Sequence, residues 1–367
     1  MIISRLMTFL AIVLACASQH AAHAQSQSKA SPSLIVGAIL PLTGSSAAFG
    51  AASQRGILMA LEDLSPTDKS RVKVIFEDDG LNNARSITAA QKLINIDKVD
   101  ALITWSSGTA LAVGSLSETR KIPQLAIASD PAIAREHRYS FNYWPIPETE
   151  TKTLYDYLKA RGKRRVAMVT QINSFPLAMR DAFVANVTAD NSLEIVADEE
   201  VGADATDMRS SLLKIKSKGA LDGVIVASFP GQLAIIVKQL REIGITAPLF
   251  GYETFEDKAS FEASAGLLTG AIYSTGADAR SDFLERFRAK YPGDTDYTAS
   301  HSYDSLRLLV DATWRQKDGE SIAVFFRTLK DYPASSGVIS ATGDNRFTLP
   351  TTLKTLDHLG NSHSVVE

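Results

Sequence analysis

Short apolar runs alternate with amphipathic stretches along almost the whole chain. The segment LIVGAIL at 34–40 is followed by a loop of small residues and then by a helical pattern over 46–64. RVKVIFED at 71–78 leads to a second helical pattern near 83–97, and VDALITW and IPQLAIA continue the rhythm. Apolar strands separated by helices predict βαβ units, and hence a parallel sheet with helices on both faces.

The rhythm breaks at RYSFNYWPIPETET and then restarts. RRVAMVT, LEIVADEE, LDGVIVAS and APLFGY are again separated by helical patterns, so we predict a second α/β lobe. A further strand begins at GAIYSTG, and two long helices follow it. The tail RFTLPTTLKTLDHLGNSHSVVE alternates in the manner of edge strands joined by a turn. The chain of 367 residues is longer than one core usually serves, which also favours two lobes.

Residues 1–24 have the pattern of a secretory signal peptide. Arg5 precedes the apolar run LMTFLAIVLA, which is too short to span a bilayer, and Ala22-His23-Ala24 supplies a cleavage site. Alternatively, VLAC resembles a lipobox, and cleavage before Cys16 would make that residue a lipid anchor on a flexible tether. We favour cleavage after Ala24 and release into the periplasm, with 25–31 as a flexible N-terminus.

Composition excludes several classes of protein. Cys16 is the only cysteine, so the cleaved chain has no disulfide, thiol nucleophile or cysteine-ligated metal. A formal net charge of −3 gives no reason to expect nucleic acid as a partner. Neither a Gly-x-Ser-x-Gly turn nor a phosphate-binding glycine loop is present. We therefore expect no cofactor and no enzymatic activity.

Metal binding is not expected either. The histidines after the signal have no metal-ligand spacing and should lie on the surface or be hydrogen-bonded; they are His137, His301, His358 and His363. The pair Asp78-Asp79 ends a strand and could be mistaken for a metal site, but capping of the following helix is the favoured interpretation.

Three strand ends carry the groups that an amino-acid zwitterion needs. Ser106 and Thr109 follow VDALITW at the start of a helix, where hydroxyls and N–H groups favour a carboxylate. Ser129 follows IPQLAIA, and Glu253, which could pair with an ammonium, follows APLFGY. Ligands of open α/β sheets bind at the carboxyl ends of strands. The pattern therefore indicates a carrier of a small polar solute.

Each of these residues also has a plainer interpretation. Ser106 and Thr109 could cap a helix without touching ligand, and Ser129 could belong to the turn before Pro131. Glu253 could be a solvated surface carboxylate.

Three longer segments resemble the leucine/isoleucine/valine-binding family of solute receptors for ABC importers. These segments are GAILPLTGSSAAFGAASQRGILMALEDL, FEDDGLNNARSITAAQKLI and YDSLRLLVDA. The resemblance implies a type I periplasmic binding fold, with two Rossmann-like lobes that are joined by three hinge crossings and close over ligand.

The crossings are expected where Pro and Gly interrupt the pattern, near Trp144–Pro147, Tyr273–Ala277 and Pro333–Gly337. Lobe 1 should then comprise 32–145 plus 276–332, and lobe 2 should comprise 146–275 plus 333–367.

The resemblance also implies a binding site. The family's serine and threonine motif falls on Ser106 and Thr109, of which the serine binds the ligand carboxylate. Its alanine–threonine pair falls on Ala128 and Ser129; the alanine carbonyl faces the ammonium, and the hydroxyl residue helps to hold the zwitterion. Its acidic partner for the ammonium falls on Glu253.

The expected side-chain pocket departs from the family pattern. Phe49 keeps an aromatic of the first loop, whereas Phe175 and Phe229 replace tyrosines, and Gln171 stands where an aspartate is usual. The lost hydroxyls favour an apolar or aromatic ligand side chain, although both phenylalanines could simply pack.

The expected function is delivery of an amino acid to an ABC permease by a monomeric receptor. A ligand-sensing module of the same fold, or a receptor for an amide, urea or an aromatic carboxylate, is the alternative.

Overall fold

The computed structural model describes residues 34–315 and 318–365, so the predicted signal peptide, Cys16 and the expected flexible N-terminus lie outside the described residues. The first of its sheets has five parallel strands in the order β2-β1-β3-β4-β5. These strands are β1 Leu34–Leu40, β2 Val72–Asp78, β3 Ala101–Trp105, β4 Gln124–Ile127 and β5 Ser140–Asn142.

The second sheet repeats this arrangement and adds an antiparallel edge. Its order is β14-β13-β10-β9-β8-β6-β7, in which β6 to β10 are parallel and β13 and β14 are antiparallel. The strands are β6 Arg165–Gln171, β7 Glu194–Val201, β8 Gly223–Ala227, β9 Leu249–Tyr252, β10 Ile272–Gly276, β13 Thr351–Leu356 and β14 Ser362–Ser364. The parallel strands of both sheets therefore follow one doubly wound order, which places a ligand crevice at the carboxyl ends of the strands.

Helices cover the two sheets, and a short 3₁₀ helix, Glu253–Glu256, follows β9. The α-helices are α1 Ala47–Glu62, α2 Pro66–Lys69, α3 Asn83–Asn95, α4 Ser107–Arg120, α5 Ala132–Glu136, α6 Pro147–Ala160, α7 Ser174–Asp190, α8 Arg209–Lys216, α9 Gln232–Glu242, α10 Lys258–Ala263, α11 Ser281–Lys290, α12 Ala299–Arg315 and α13 Gly319–Arg327. Every residue of β3 and β8 is buried, as expected for central strands covered on both faces. The predicted α/β fold with two Rossmann-like lobes is confirmed.

One close helix contact positions part of the site. A Cβ on Gly56 of α1 would lie 2.0 Å from the carbonyl oxygen of Ala299, so α1 and α12 can approach closely only because residue 56 is glycine. Thr298 directly precedes α12, and its hydroxyl group lies 2.7 Å from that of Ser53 on α1. This contact holds the chain that enters α12 against α1.

Between the sheets the described chain passes at 143–146, at 277–280 and at 348–350. Pro333–Gly337 lies instead in a hairpin of β11 Tyr332–Ala334 and β12 Gly337–Ile339. The backbone N–H groups of Ser335 and Ser336 donate to the Asp304 carboxylate on α12 at 2.7 and 2.8 Å. These bonds attach the hairpin to α12, so the third crossing comes after the hairpin, at 348–350. The lobe boundaries remain our proposal.

Across 34–315 and 318–365, none of the helices combines the length and the apolar character needed to cross a membrane.

Candidate functional site

A cavity lies between the carboxyl ends of the two parallel sheets. It encloses about 350 Å³ of space, including solvent at its mouth. Trp105–Ser107 and Ile127–Ser129 line it where β3 and β4 end, and Phe229, Glu253 and Thr254 line it from the second sheet. Six of the eight site residues expected from the sequence line this cavity, namely Ser106, Ala128, Ser129, Phe175, Phe229 and Glu253. The cavity therefore has one wall from each lobe.

Ser106 both caps a helix and lines the cavity. It is the N-cap of α4, and its Oγ accepts a hydrogen bond from the backbone N–H of Thr109 at 3.3 Å. Its backbone angles of φ 78° and ψ 149° lie in a region that is used almost only by glycine. Such strain persists where the surrounding structure holds it, and it is concentrated at functional sites. The capping and ligand-binding interpretations of Ser106 are therefore compatible.

Two expected site residues lie one layer behind the cavity wall. The Thr109 hydroxyl donates to the Asp79 carboxylate at 2.5 Å, so its proton is already used. Phe49 is almost fully buried and packs against Trp105 and Tyr297, with ring centroids 6.1 and 4.5 Å apart. Both support residues that line the cavity, and direct contact of either side chain with ligand is not supported by this arrangement.

The expectation that Asp78-Asp79 caps the next helix is wrong. The N-cap of α3 is Asn82, whose Oδ1 accepts from the backbone N–H of Arg85 at 3.0 Å. A turn with positive φ at residues 80 and 81 separates the acids from the helix. Asp78 instead accepts from the N–H of Leu42 at 2.9 Å, which ties β2 to the loop after β1. In the described part of the chain, no group of His, Cys, Asp and Glu could hold a metal ion.

Ala128 and Ser129, the pair expected to help hold a zwitterion, directly follow β4. Asn142 donates through Nδ2 to the Ala128 carbonyl oxygen at 2.9 Å, which leaves that oxygen a second lone pair for a ligand. Ser129 is 1% exposed and directly follows Ala128 in the cavity wall. Asn142 thus holds the Ala128 carbonyl in position, and Ser129 is buried beside it.

Two phenylalanines form the apolar wall of the second lobe. The rings of Phe175 and Phe229 have centroids 5.5 Å apart and are tilted by 53°. Gln171, at the position where the family pattern has an aspartate, accepts from the backbone N–H of Phe229 at 2.7 Å. Its Nε2 donates to the carbonyl oxygen of Ala203 at 3.0 Å. Gln171 therefore holds the segment that carries Phe229.

Seven further residues line the cavity and were not expected from the sequence; they are Trp105, Ser107, Ile127, Trp144, Thr254, Tyr297 and Thr298. Four of them directly neighbour predicted residues, which was a usable signal. In the sequence, Tyr297 and Thr298 open the helical pattern YTASHSYDSLRLLVDATW. The helix α12 begins only at Ala299, however, and Thr298 has a positive φ of 62°. These two residues consequently face the cleft.

Two histidines are more buried than the sequence indicated. His301 is 5% exposed and packs on Trp144, with ring centroids 4.4 Å apart. Burial lowers the pKa of His301 to about 3, so it is neutral at physiological pH. His137 is half-buried, and neither ring nitrogen has a hydrogen-bond partner among the described residues.

Glu253 is a buried carboxyl group at the end of the cavity opposite Ser106. It is 3% exposed, and burial raises its pKa to about 7. Glu150 of α6 is fully buried beside it, and its pKa is also raised well above the ordinary range, first by burial and then by the neighbouring carboxylates.

Residues 33–357 match the family model described as periplasmic binding protein. The chain belongs to the periplasmic binding protein family. Leu/Ile/Val-binding protein homolog 8 of Brucella abortus is 23% identical over 282 residues, which cover 70% of this chain and 69% of the relative.

Solved structures of periplasmic binding proteins share the fold. The leucine-binding protein LivK of Thermotoga maritima superposes with a TM-score of 0.83 and 20% identity, over 91% of this chain and 98% of its own. A solute-binding protein of an ABC transporter from Rhodopseudomonas palustris, in complex with 3,4-dihydroxybenzoic acid, has a TM-score of 0.76 and 20% identity, over 88% and 93% of the two chains. The neighbours thus include proteins with different ligands.

Proposed function

We propose that this periplasmic binding protein is an exported receptor that delivers an amino acid with an apolar or aromatic side chain to an ABC importer. One observation carries the proposal: Ser106 and Ser129 line the cavity from the first lobe, and Glu253 lines it from the second. Hydroxyl groups at a helix N-terminus suit a carboxylate, and a buried carboxylate suits an ammonium. A free amino acid carries both groups.

The remaining lining supports an apolar ligand side chain. Trp105, Ile127, Trp144, Phe175 and Phe229 supply most of the wall between the two polar ends. Burial of an apolar group against such a wall is favourable, and a charged side chain would lose its hydration there without a partner.

An aromatic carboxylate is the second candidate. The same aromatic wall would accept a benzene ring, and the Rhodopseudomonas palustris relative is described in complex with 3,4-dihydroxybenzoic acid. Such a ligand would use the serine side of the cavity and would need no ammonium partner.

A thermal-shift screen of single amino acids and of benzoates tests the proposal, because a ligand that binds the native state raises the unfolding temperature. At a concentration of 100 Kd, the expected stabilisation is about 2.7 kcal/mol. The best amino acid is then compared with its decarboxylated amine and its deaminated acid. Loss of binding with either analogue supports the zwitterion site, whereas a shift with benzoates alone contradicts it.

Two further measurements address the role as a transport receptor. Recovery of unchanged ligand after prolonged incubation supports a receptor rather than an enzyme. Neighbouring genes for a permease and an ATPase, together with ligand uptake when those subunits are reconstituted with the receptor, would support transport. Coupling to a regulator alone would favour the ligand-sensing alternative. Sedimentation of the receptor should show a monomer.

A further inference from the structure

Glu150 has an unusual environment for a glutamate. It lies in the first turn of α6, it is 0% exposed, and neither carboxyl oxygen accepts a hydrogen bond from a donor among the described residues. Its carboxyl group lies within hydrogen-bonding reach of that of Glu253, whose Oε2 likewise accepts from no donor among the described residues. Two buried acidic groups therefore meet beneath the cavity.

No cation balances this pair within the described ion pairs. The nearby Glu256 has its own partner, Lys354, whose Nζ lies 2.9 Å from Glu256 and 2.7 Å from Asp278. The other titratable groups close to the pair are the hydroxyl groups of Tyr252 and Tyr297, which burial keeps neutral by raising their pKa well above the usual range. The indole of Trp144 also lies close to Glu253, but its N–H makes no hydrogen bond to a described residue.

Ionised carboxylates only accept hydrogen bonds, so two of them cannot bond to each other. A pair in contact without a cation therefore holds a proton between its members. Glu150 is the more buried of the two, so ionising Glu150 costs more free energy than ionising Glu253. Glu253 lines the cavity, where a ligand cation could stabilise its charge.

We propose that Glu150 stays protonated and donates a hydrogen bond to Glu253. Glu150 is thus a positioning residue that holds Glu253 as a carboxylate at the cavity. This inference rests on the proposed function, because it makes Glu253 the partner of the ligand ammonium. The raised pKa of both groups agrees with the pair sharing one proton near neutral pH.

Infrared difference spectroscopy of the ligand-free protein tests the protonation directly. At pH 7, Glu150→Gln should remove a carboxylic-acid C=O band that wild type shows. Glu148→Gln, two residues earlier on the same helix and exposed, should leave that band in place. If Glu150→Gln removes a carboxylate band instead, Glu150 is ionised and the proposal is wrong.

Binding of L-leucine and L-phenylalanine tests the positioning role. Glu150→Gln should keep the affinity within about threefold because its amide also donates, whereas Glu150→Leu should lose roughly tenfold or more. In Glu150→Leu, the pH midpoint for binding should also move upward, because Glu253 loses its donor. Equal losses in both variants, or an unmoved midpoint, would overturn the proposal.

The infrared result separates this inference from the proposed function. If wild type binds neither amino acid, the amino-acid assignment fails, and the carboxylic-acid band still decides the state of Glu150.

Discussion

The backbone N–H of Phe229 donates to the side-chain oxygen of Gln171 at 2.7 Å, and this bond is buried. It ties the end of β6 to the loop after β8. Phe229 lines the cavity and Gln171 does not, so Gln171 positions a lining residue from outside the cavity.

Gln171→Leu should therefore lower both stability and affinity. It leaves the buried N–H of Phe229 unsatisfied, which costs about 1–3 kcal/mol of unfolding free energy. Urea unfolding measures the stability, and calorimetry with the best ligand from the thermal-shift screen measures the affinity.

Gln239→Leu is the matched control. Gln239 makes the same kind of bonds, accepting from the N–H of Met208 at 2.7 Å and donating to the Thr206 carbonyl at 2.8 Å. None of these residues lines the cavity, so this variant should lose comparable stability with unchanged affinity. Equal affinity losses in the two variants would refute a specific role for Gln171.

Glu253→Gln tests the ammonium site. The change keeps the shape of the side chain but removes a charge-assisted contact, which should cost on the order of 2–5 kcal/mol of binding free energy. At about 1.4 kcal/mol per decade, that is an affinity loss of at least about tenfold by calorimetry. Glu262→Gln, at an exposed position on α10, should bind as wild type does. If Glu253→Gln binds as tightly as wild type, the ligand has no ammonium at this position.

Ser106→Gly and Ser106→Ala should separate strain from capping. Glycine accepts φ 78° without cost, so Ser106→Gly should be as stable as wild type or up to about 1 kcal/mol more stable. Ser106→Ala keeps the strain and loses the cap, and should be about 0.5–2 kcal/mol less stable. Both should bind ligand more weakly because the hydroxyl is gone. Thermal unfolding and calorimetry measure these effects, and undiminished affinity in both variants would exclude Ser106 from ligand contact.

Glu150 should give stability a particular pH dependence. Its folded pKa is raised above the ordinary 4.5, so its contribution to stability is complete below that value and declines as pH rises toward the folded pKa. The decline is at most about 1.4 kcal/mol per pH unit. Glu150→Gln removes this decline. The free energy of unfolding of the variant should therefore rise relative to that of wild type between about pH 5 and 7, as measured by urea unfolding. The exposed variant Glu148→Gln should show no such trend. A constant offset for Glu150→Gln would mean that Glu150 is ionised when folded.

Ligand should close the two lobes. Ser106 and Glu253 lie on opposite walls, so only a closed cavity brings both into contact with one small ligand, and this difference in contacts drives closure. Small-angle scattering should show a smaller radius of gyration with ligand. Superimposable profiles with a verified ligand would contradict the hinge motion.

The sequence predicted the layers of the fold because buried parallel strands read as continuous apolar runs. The predicted tail strands are β13 and β14, which pair across a turn. The same logic placed Ser106 and Ser129 at the carboxyl ends of strands in the first sheet and Glu253 at the carboxyl end of a strand in the second, and the two ends meet at the cavity.

Other features depend on contacts that are distant along the chain. Thr109 hydrogen-bonds to Asp79, thirty residues away, and no local pattern reveals that its hydroxyl is used. Pro333–Gly337 looks like a hinge from its Pro and Gly, but Asp304 holds it on α12. An acidic residue such as Glu150 is common in the first turn of a helix, so its sequence position suggests nothing unusual. Only the fold buries it beside Glu253.

The three passages between the sheets leave neither lobe as one continuous stretch of chain. Lobe 1 needs α12, far along the chain, to cover α1, and the second sheet gains β13 and β14 only from the last residues. Pairings over such long separations form slowly, so a chain emerging from its N-terminus cannot complete either half early. The interleaving also means that no single cut in the chain yields a separately expressible lobe.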